Sequence, residues 1–147
     1  MKPRAVRALL VLGWLVLSAT AAQAAAPGPA RVDIRIERVH QLGPIYPLHP
    51  AGIEVQLRNV GKTDCAACQV RVLGGRLVAT QAVPLLRAGE TAGVSVTNLR
   101  FPIPGKVVLV VGVDGPPDRV TFTGKKPSTT FEITVLEGAP AQKKATR

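Results

Sequence analysis

From Val32 onward the chain alternates between apolar and polar positions. Val32, Ile34 and Ile36 fall on one side and Asp33, Arg35 and Glu37 on the other, a period of two that predicts a half-buried β-strand. The same period recurs four more times. Ile53, Val55 and Leu57 alternate with Glu54, Gln56 and Arg58. Cys68, Val70 and Val72 alternate with Gln69 and Arg71. Ala92, Val94 and Val96 alternate with Ser95 and Thr97, and Phe131, Ile133 and Val135 with Thr130, Glu132 and Thr134. Leu77 to Val83 is a weaker strand. Val107 to Val113 (VVLVVGV) is a continuous apolar run, which predicts a central strand covered on both faces.

Turn signals separate these segments. Asn59-Val60-Gly61-Lys62 predicts a turn, since Asn and Gly are able to take positive φ. Gly74-Gly75, Leu86 to Thr91 (LRAGET) and Pro102-Ile103-Pro104-Gly105 follow. His40 to Pro50 (HQLGPIYPLHP) holds three prolines and a glycine, and since proline has no donor for a ladder this is a loop or a broken edge segment. Seven short strands with no helical period predict an all-β fold, a single seven-stranded β-sandwich over residues 31–137.

The first 24 residues have a different character. Lys2, Arg4 and Arg7 precede an apolar stretch, Ala8 to Leu17, and Ala22-Gln23-Ala24 is an Ala-x-Ala cleavage site, which together read as a secretory signal peptide. The apolar stretch is short of the ~20 residues that span a bilayer. Residues 25–30 read as a flexible linker, and residues 138–147 (GAPAQKKATR) as a disordered basic tail. The expected location is periplasm or medium, with no stable membrane insertion after cleavage.

Composition narrows the function. Of 147 residues 46% are hydrophobic and 19% charged, too apolar for a disordered chain and sized for one domain. The formal charge of +10 falls to about +7 without Lys2, Arg4 and Arg7, and to about +4 without Lys143, Lys144 and Arg147. The remaining basic residues alternate along strands, the pattern of a solvated face, so nucleic-acid binding is not expected. Trp14 lies in the signal, leaving Tyr46, Phe101, Phe122 and Phe131 as the aromatic set, which argues against sugar recognition.

Cys65-Ala66-Ala67-Cys68 is the sharpest chemical feature. A C-x-x-C pair suits thiol–disulfide exchange when the first thiolate is stabilised at a helix N-terminus. Here Asp64 precedes it and a strand follows, so a structural disulfide in an oxidising compartment is the leading reading. A redox pair and a metal site completed by His40 and His49 are the alternatives, although the two histidines are nine residues apart on another segment. Asp114 and Asp118 flank Gly115-Pro116-Pro117 and read as turn formers rather than calcium ligands. Ser95 and Ser128 sit in no nucleophile elbow. No enzyme, cofactor or metal is expected.

The order and spacing of several short motifs resemble the CARDB family, the cell adhesion related domain found in bacteria. They are the opening strand Val32 to Ile36, the strand-ending Asn59-Val60-Gly61, the turn Leu86-Arg87-Ala88-Gly89-Glu90, and Val113-Asp114 closing the penultimate strand. Lys125 to Thr129 replaces the polar run with paired asparagines that the family usually carries before its last strand. The resemblance implies an immunoglobulin-like or fibronectin-type sandwich and a non-catalytic role as a binding, adhesion or spacer module of the cell envelope. The expected partner is a protein or envelope polymer, bound by a monomer through loops or a sheet edge. The loops singled out are His40 to Pro50, with Ile45, Tyr46, Leu48 and His49 as binding candidates, and Gly115 to Ser128. Packing of the apolar loop residues over an open end of the sandwich is the competing reading. A periplasmic thiol–disulfide or metal-binding protein using Cys65 and Cys68 is the alternative function.

Overall fold

A computed structural model describes residues 28–138. The residues read as a signal peptide, the start of the stretch read as a linker and the tail beyond residue 138 lie outside the described residues. Among the described residues nine strands and no helix are formed: β1 (Ala30–Val32), β2 (Ile34–Gln41), β3 (Ala51–Asn59), β4 (Gln69–Gly74), β5 (Leu77–Ala82), β6 (Thr91–Leu99), β7 (Gly105–Asp114), β8 (Val120–Phe122) and β9 (Ser128–Val135). A three-stranded sheet, β2-β3-β6, faces a four-stranded one, β5-β4-β7-β9, and β1 pairs with β8 as a small parallel ribbon. The seven strands of the two large sheets are the seven that the hydropathy pattern predicts.

The pattern works because each strand sends its period-two apolar residues to one shared core. Ile53, Val55 and Leu57 from β3 and Val94 and Val96 from β6 meet Val70 and Val72 from β4, Leu109 and Val111 from β7, and Ile133 from β9. All of these are buried. In immunoglobulin constant-type domains the strand after the third joins the first sheet. Here β5 pairs with β4 in antiparallel register from Gln69↔Ala82 to Gly74↔Leu77, so it lies at the edge of the four-stranded sheet.

Four expectations need correction. β7 is central in its sheet, between β4 and β9, yet it is covered on one face only. Leu109 and Val111 are fully buried while Val108 is 56% exposed and Val110 40%. The unbroken valine run reflects the fit of β-branched side chains to a pleated strand rather than burial on both sides. The first strand is likewise two strands. It leaves β8 at Val32 and joins β3 at Ile34, and a bulge between Ile36 and Arg38 shifts the register. Ala30, read as the end of the linker, opens β1. Finally, β8 lies inside what reads as the second loop, with Val120 buried against the core.

Candidate functional site

The two ends of the sandwich are built differently. One end carries the connections after β3, β5 and β7, and the cysteines are there. Cys65 and Cys68 are joined in a disulfide with Cα atoms 6.2 Å apart. Cys65 is fully buried and Cys68 nearly so, both within the core cluster. The bridge is also tied to the β5–β6 connection. The Cys65 N–H donates to the Leu86 carbonyl at 2.9 Å, the Leu86 N–H donates back at 3.0 Å, and the Val83 N–H donates to the Cys68 carbonyl at 2.9 Å. No helix precedes or follows the pair among the described residues, and neither sulfur is open to a protein substrate. These features support a structural clip.

Asn59 organises the same end, and among the described residues it is the one fully buried polar residue. Its amide nitrogen donates to the Thr63 carbonyl at 2.8 Å and to the Leu86 carbonyl at 3.0 Å, while its Oδ1 accepts the Gly61 N–H at 3.1 Å. Its own backbone N–H donates to Glu90 O and its carbonyl accepts from Gly89 N–H, at 2.9 and 2.7 Å. The Asn-Val-Gly and Leu-Arg-Ala-Gly-Glu segments, 27 residues apart, are therefore one hydrogen-bonded unit. Positive φ is not the reason for Asn59 and Gly61, since neither adopts it. Asn59 is there for its amide. Gly61 is there for space, since a Cβ would stand 3.1 Å from the Asp33 nitrogen and 3.2 Å from its Cβ. Gly89 alone of these turn residues has positive φ, at 79°. Asp64 accepts the Ala88 N–H at 2.9 Å and Glu90 the Arg87 N–H at 2.9 Å, which closes the turn.

If the clip is structural, replacing both cysteines by alanine removes the constraint on a four-residue loop and lowers stability by about 2 kcal/mol without unfolding the domain. Chemical denaturation of Cys65→Ala/Cys68→Ala against the unreduced parent checks this. Unchanged stability together with loss of a disulfide-reductase activity is the pattern a redox pair would give.

Asp114 and Asp118 do not come together as a ligand pair. The Lys126 ammonium sits 2.7 Å from Asp114 Oδ1, and that hydrogen bond, with a second from the Gly115 N–H, holds the Asp114 carboxyl below the usual carboxylate range. A lowered folded pKa contributes stability that is complete above the unfolded value and disappears as pH falls through the folded one. The pair is largely solvent-exposed, so the contribution is small. Lys126→Met is expected to flatten the acid limb of stability below about pH 4 and to leave neutral-pH stability nearly unchanged, as urea titrations across pH would show.

The other end carries the connections after β2, β4 and β6, together with the residues that follow β9. Of the four binding candidates here, Ile45 is fully buried, bridges Val135 in parallel and accepts the Leu136 N–H at 2.8 Å. It packs over the end of the core, as the competing reading has it. Tyr46 is half-buried, and Leu48 and His49 are exposed. Leu48 has φ of 61°, a left-handed conformation. Its N–H donates to the Phe101 carbonyl at 2.8 Å, and its carbonyl accepts Arg100 Nη1 at 2.7 Å. This ties the His40 to Pro50 loop to the β6–β7 connection, a link that nothing in the local pattern announces. A depression of about 340 Å³ lies alongside, lined by Arg76, Leu77, Arg100, Phe101, Ile103 and Val107 among others.

His40 and His49 are not brought to the cysteines. His40 is in β2, opposite Glu54 in β3, with Nε2 3.9 Å from the carboxylate, whereas Cys65 and Cys68 lie at the opposite end. No group of three or more His, Cys, Asp or Glu side chains suited to a metal ion occurs among the described residues. No helix among them is long and apolar enough to cross a membrane.

The 3 + 4 arrangement, with antiparallel pairing throughout both large sheets, defines an immunoglobulin-like β-sandwich. More narrowly, the fold is that of a CARDB domain. The crystal structure of a CARDB domain from Pyrococcus furiosus, solved in complex with di-metal ions, is similar at a TM-score of 0.54 and 17% identity, over 74% of this chain and 94% of that one. The solution structure of the same domain is similar at 0.52 and 16%, over 71% and 94%. No protein-family model and no curated protein matches the sequence. The resemblance read from the motifs thus extends to the fold.

Proposed function

We propose that this protein is an exported, non-catalytic binding or adhesion module of the bacterial cell envelope. The observation that carries the reading is how its polar side chains are used. The buried amide of Asn59 and the turn carboxylates of Asp64 and Glu90 bond backbone groups, and the cysteines are closed on each other in the core. This chemistry rigidifies loops on a sandwich, which is how a fold of this class presents a binding surface. The disulfide suits an oxidising compartment, and Met1 to Ala24 supplies the route there. The partner is an envelope protein or polymer, met by a monomer.

Intact mass of the protein from periplasmic and culture fractions, with thiols alkylated before lysis, tests this. The expected species begins after Ala24, is unalkylated, and weighs two hydrogens less than the reduced chain. A full-length chain confined to the cytosol, or one alkylated at both cysteines, would overturn the reading.

A further inference from the structure

We propose that the proline-rich end of the sandwich is a docking surface for an anionic phospholipid bilayer. The proposal goes beyond the reading of an envelope module by adding a lipid surface to its protein or polymer partner, and it rests on that reading for access to a membrane, though not for the affinity itself. Its starting point is the placement of exposed apolar side chains. Leu42, Leu48, Ile103 and Leu136 all sit at the end that carries the β2–β3 and β6–β7 connections, and all are at least 40% exposed, with Leu42 lying over Gly52 of β3. Leu48 and Ile103, at 65% and 69%, are the two most exposed large apolar residues described.

Leu48 is the telling one. A left-handed backbone strains leucine, and glycine or asparagine would relieve it. Nevertheless both its backbone groups are bonded to the β6–β7 connection, which fixes this strained residue with its side chain in water. Strain of this kind persists where the surroundings hold it, and it clusters at ligand-contacting sites. Pro44, Pro47, Pro50, Pro102 and Pro104 stiffen the two loops, so little chain entropy remains to be lost on docking.

Charge selects the occupant. Arg76 and Arg100 line one depression with the apolar Phe101 and Ile103, and neither is paired with a carboxylate among the described residues. Lys106, at the start of β7, is balanced by Glu132 at 2.9 Å. Glu137 is the single acidic side chain on the connections of this end. Guanidinium groups beside protruding apolar tips match the layering of a phospholipid surface, with phosphate outside and hydrocarbon beneath. Convex tips enter a fluid acyl layer without needing a matching pocket, which a protein partner would have to supply. Each arginine near such a surface strengthens binding about fivefold, and the effect is screened by salt.

The test is co-sedimentation of the protein as recovered from cells, its N-terminus defined by mass, with vesicles of phosphatidylglycerol and phosphatidylcholine or of phosphatidylcholine alone. The proposal expects binding to the anionic vesicles, weakened by 0.5 M salt, and about tenfold or more loss in Leu48→Ser/Ile103→Ser with unchanged unfolding temperature. Lys62→Gln/Arg119→Gln, at the opposite end, should change binding less than about twofold. Three results overturn the proposal: no sedimentation with either vesicle, equal binding by the serine variant, or capture by soluble poly-glutamate as tight as by vesicles, which assigns the surface to acidic protein. Because parent and variants share one N-terminus, the comparison isolates this end. A failure here leaves the export reading standing, and a cytosolic chain leaves the vesicle result standing.

Discussion

Asn59→Asp is expected to lower the stability of this domain by roughly 4 kcal/mol at pH 7, more than Asn59→Ala, which should cost about 3 kcal/mol. The alanine variant strands the Gly61 N–H and the Thr63 carbonyl and leaves the Leu86 carbonyl with only the Cys65 N–H. The aspartate variant does worse, although it is nearly isosteric. It keeps an acceptor for Gly61 but turns a carboxylate oxygen toward two carbonyls that need a donor, in a fully buried position. Burial without a cation raises the folded pKa of such a carboxyl. The sign then follows from linkage. With the folded pKa above the unfolded one, the protonated form is favoured in the fold, so the variant is most stable below about pH 4 and loses stability as pH rises toward the folded value. Its deficit against the parent should therefore shrink in acid. Urea unfolding at pH 4 and pH 7 checks both parts, and a thermal midpoint roughly 15–25 °C below the parent is expected at pH 7. An aspartate variant as stable as the parent at pH 7 would mean that the amide does not make these bonds.

This position is only half legible in the sequence. Asn59 and Gly61 stand out as a turn signal, and the Leu86 to Glu90 segment as another, because turn chemistry is local. That one amide joins them is a contact over 27 residues, and it depends on β3 and β6 being neighbours, which no local period encodes. The same limit explains β7. Its valines declare a strand, but whether a layer covers the second face is a property of the assembled sheets. The two-residue period marked only five of the seven large strands, β7 standing out as an apolar run and β5 weakly, and it works where one face lies on the core and the other in water. It missed the β1–β8 ribbon because three residues are too few to establish a period. The cysteine pair was legible for the opposite reason: a closure over four residues is local, and its buried setting leaves the thiol chemistry little room.

Loop His40 to Pro50 gives the sharpest division between packing and presentation, and it predicts the second large effect. Ile45→Ala should cost about 3 kcal/mol, or a thermal midpoint lower by roughly 10–20 °C, whereas Leu48→Ala should stay within about 0.5 kcal/mol of the parent. They stand only three positions apart. Ile45 is fully buried, its main chain bridges Val135 and bonds Leu136, and its side chain closes the core where β3 begins and β9 ends. Truncation there leaves a cavity that stiff proline neighbours cannot collapse around. Leu48 buries little and contributes its backbone bonds, which alanine keeps. Leu48→Gly should even raise stability slightly, since glycine accepts the left-handed conformation without strain. Thermal unfolding of the three variants side by side checks the division. A Leu48 that folding does not need, held in a conformation that glycine would adopt more easily, is the outcome the docking proposal requires.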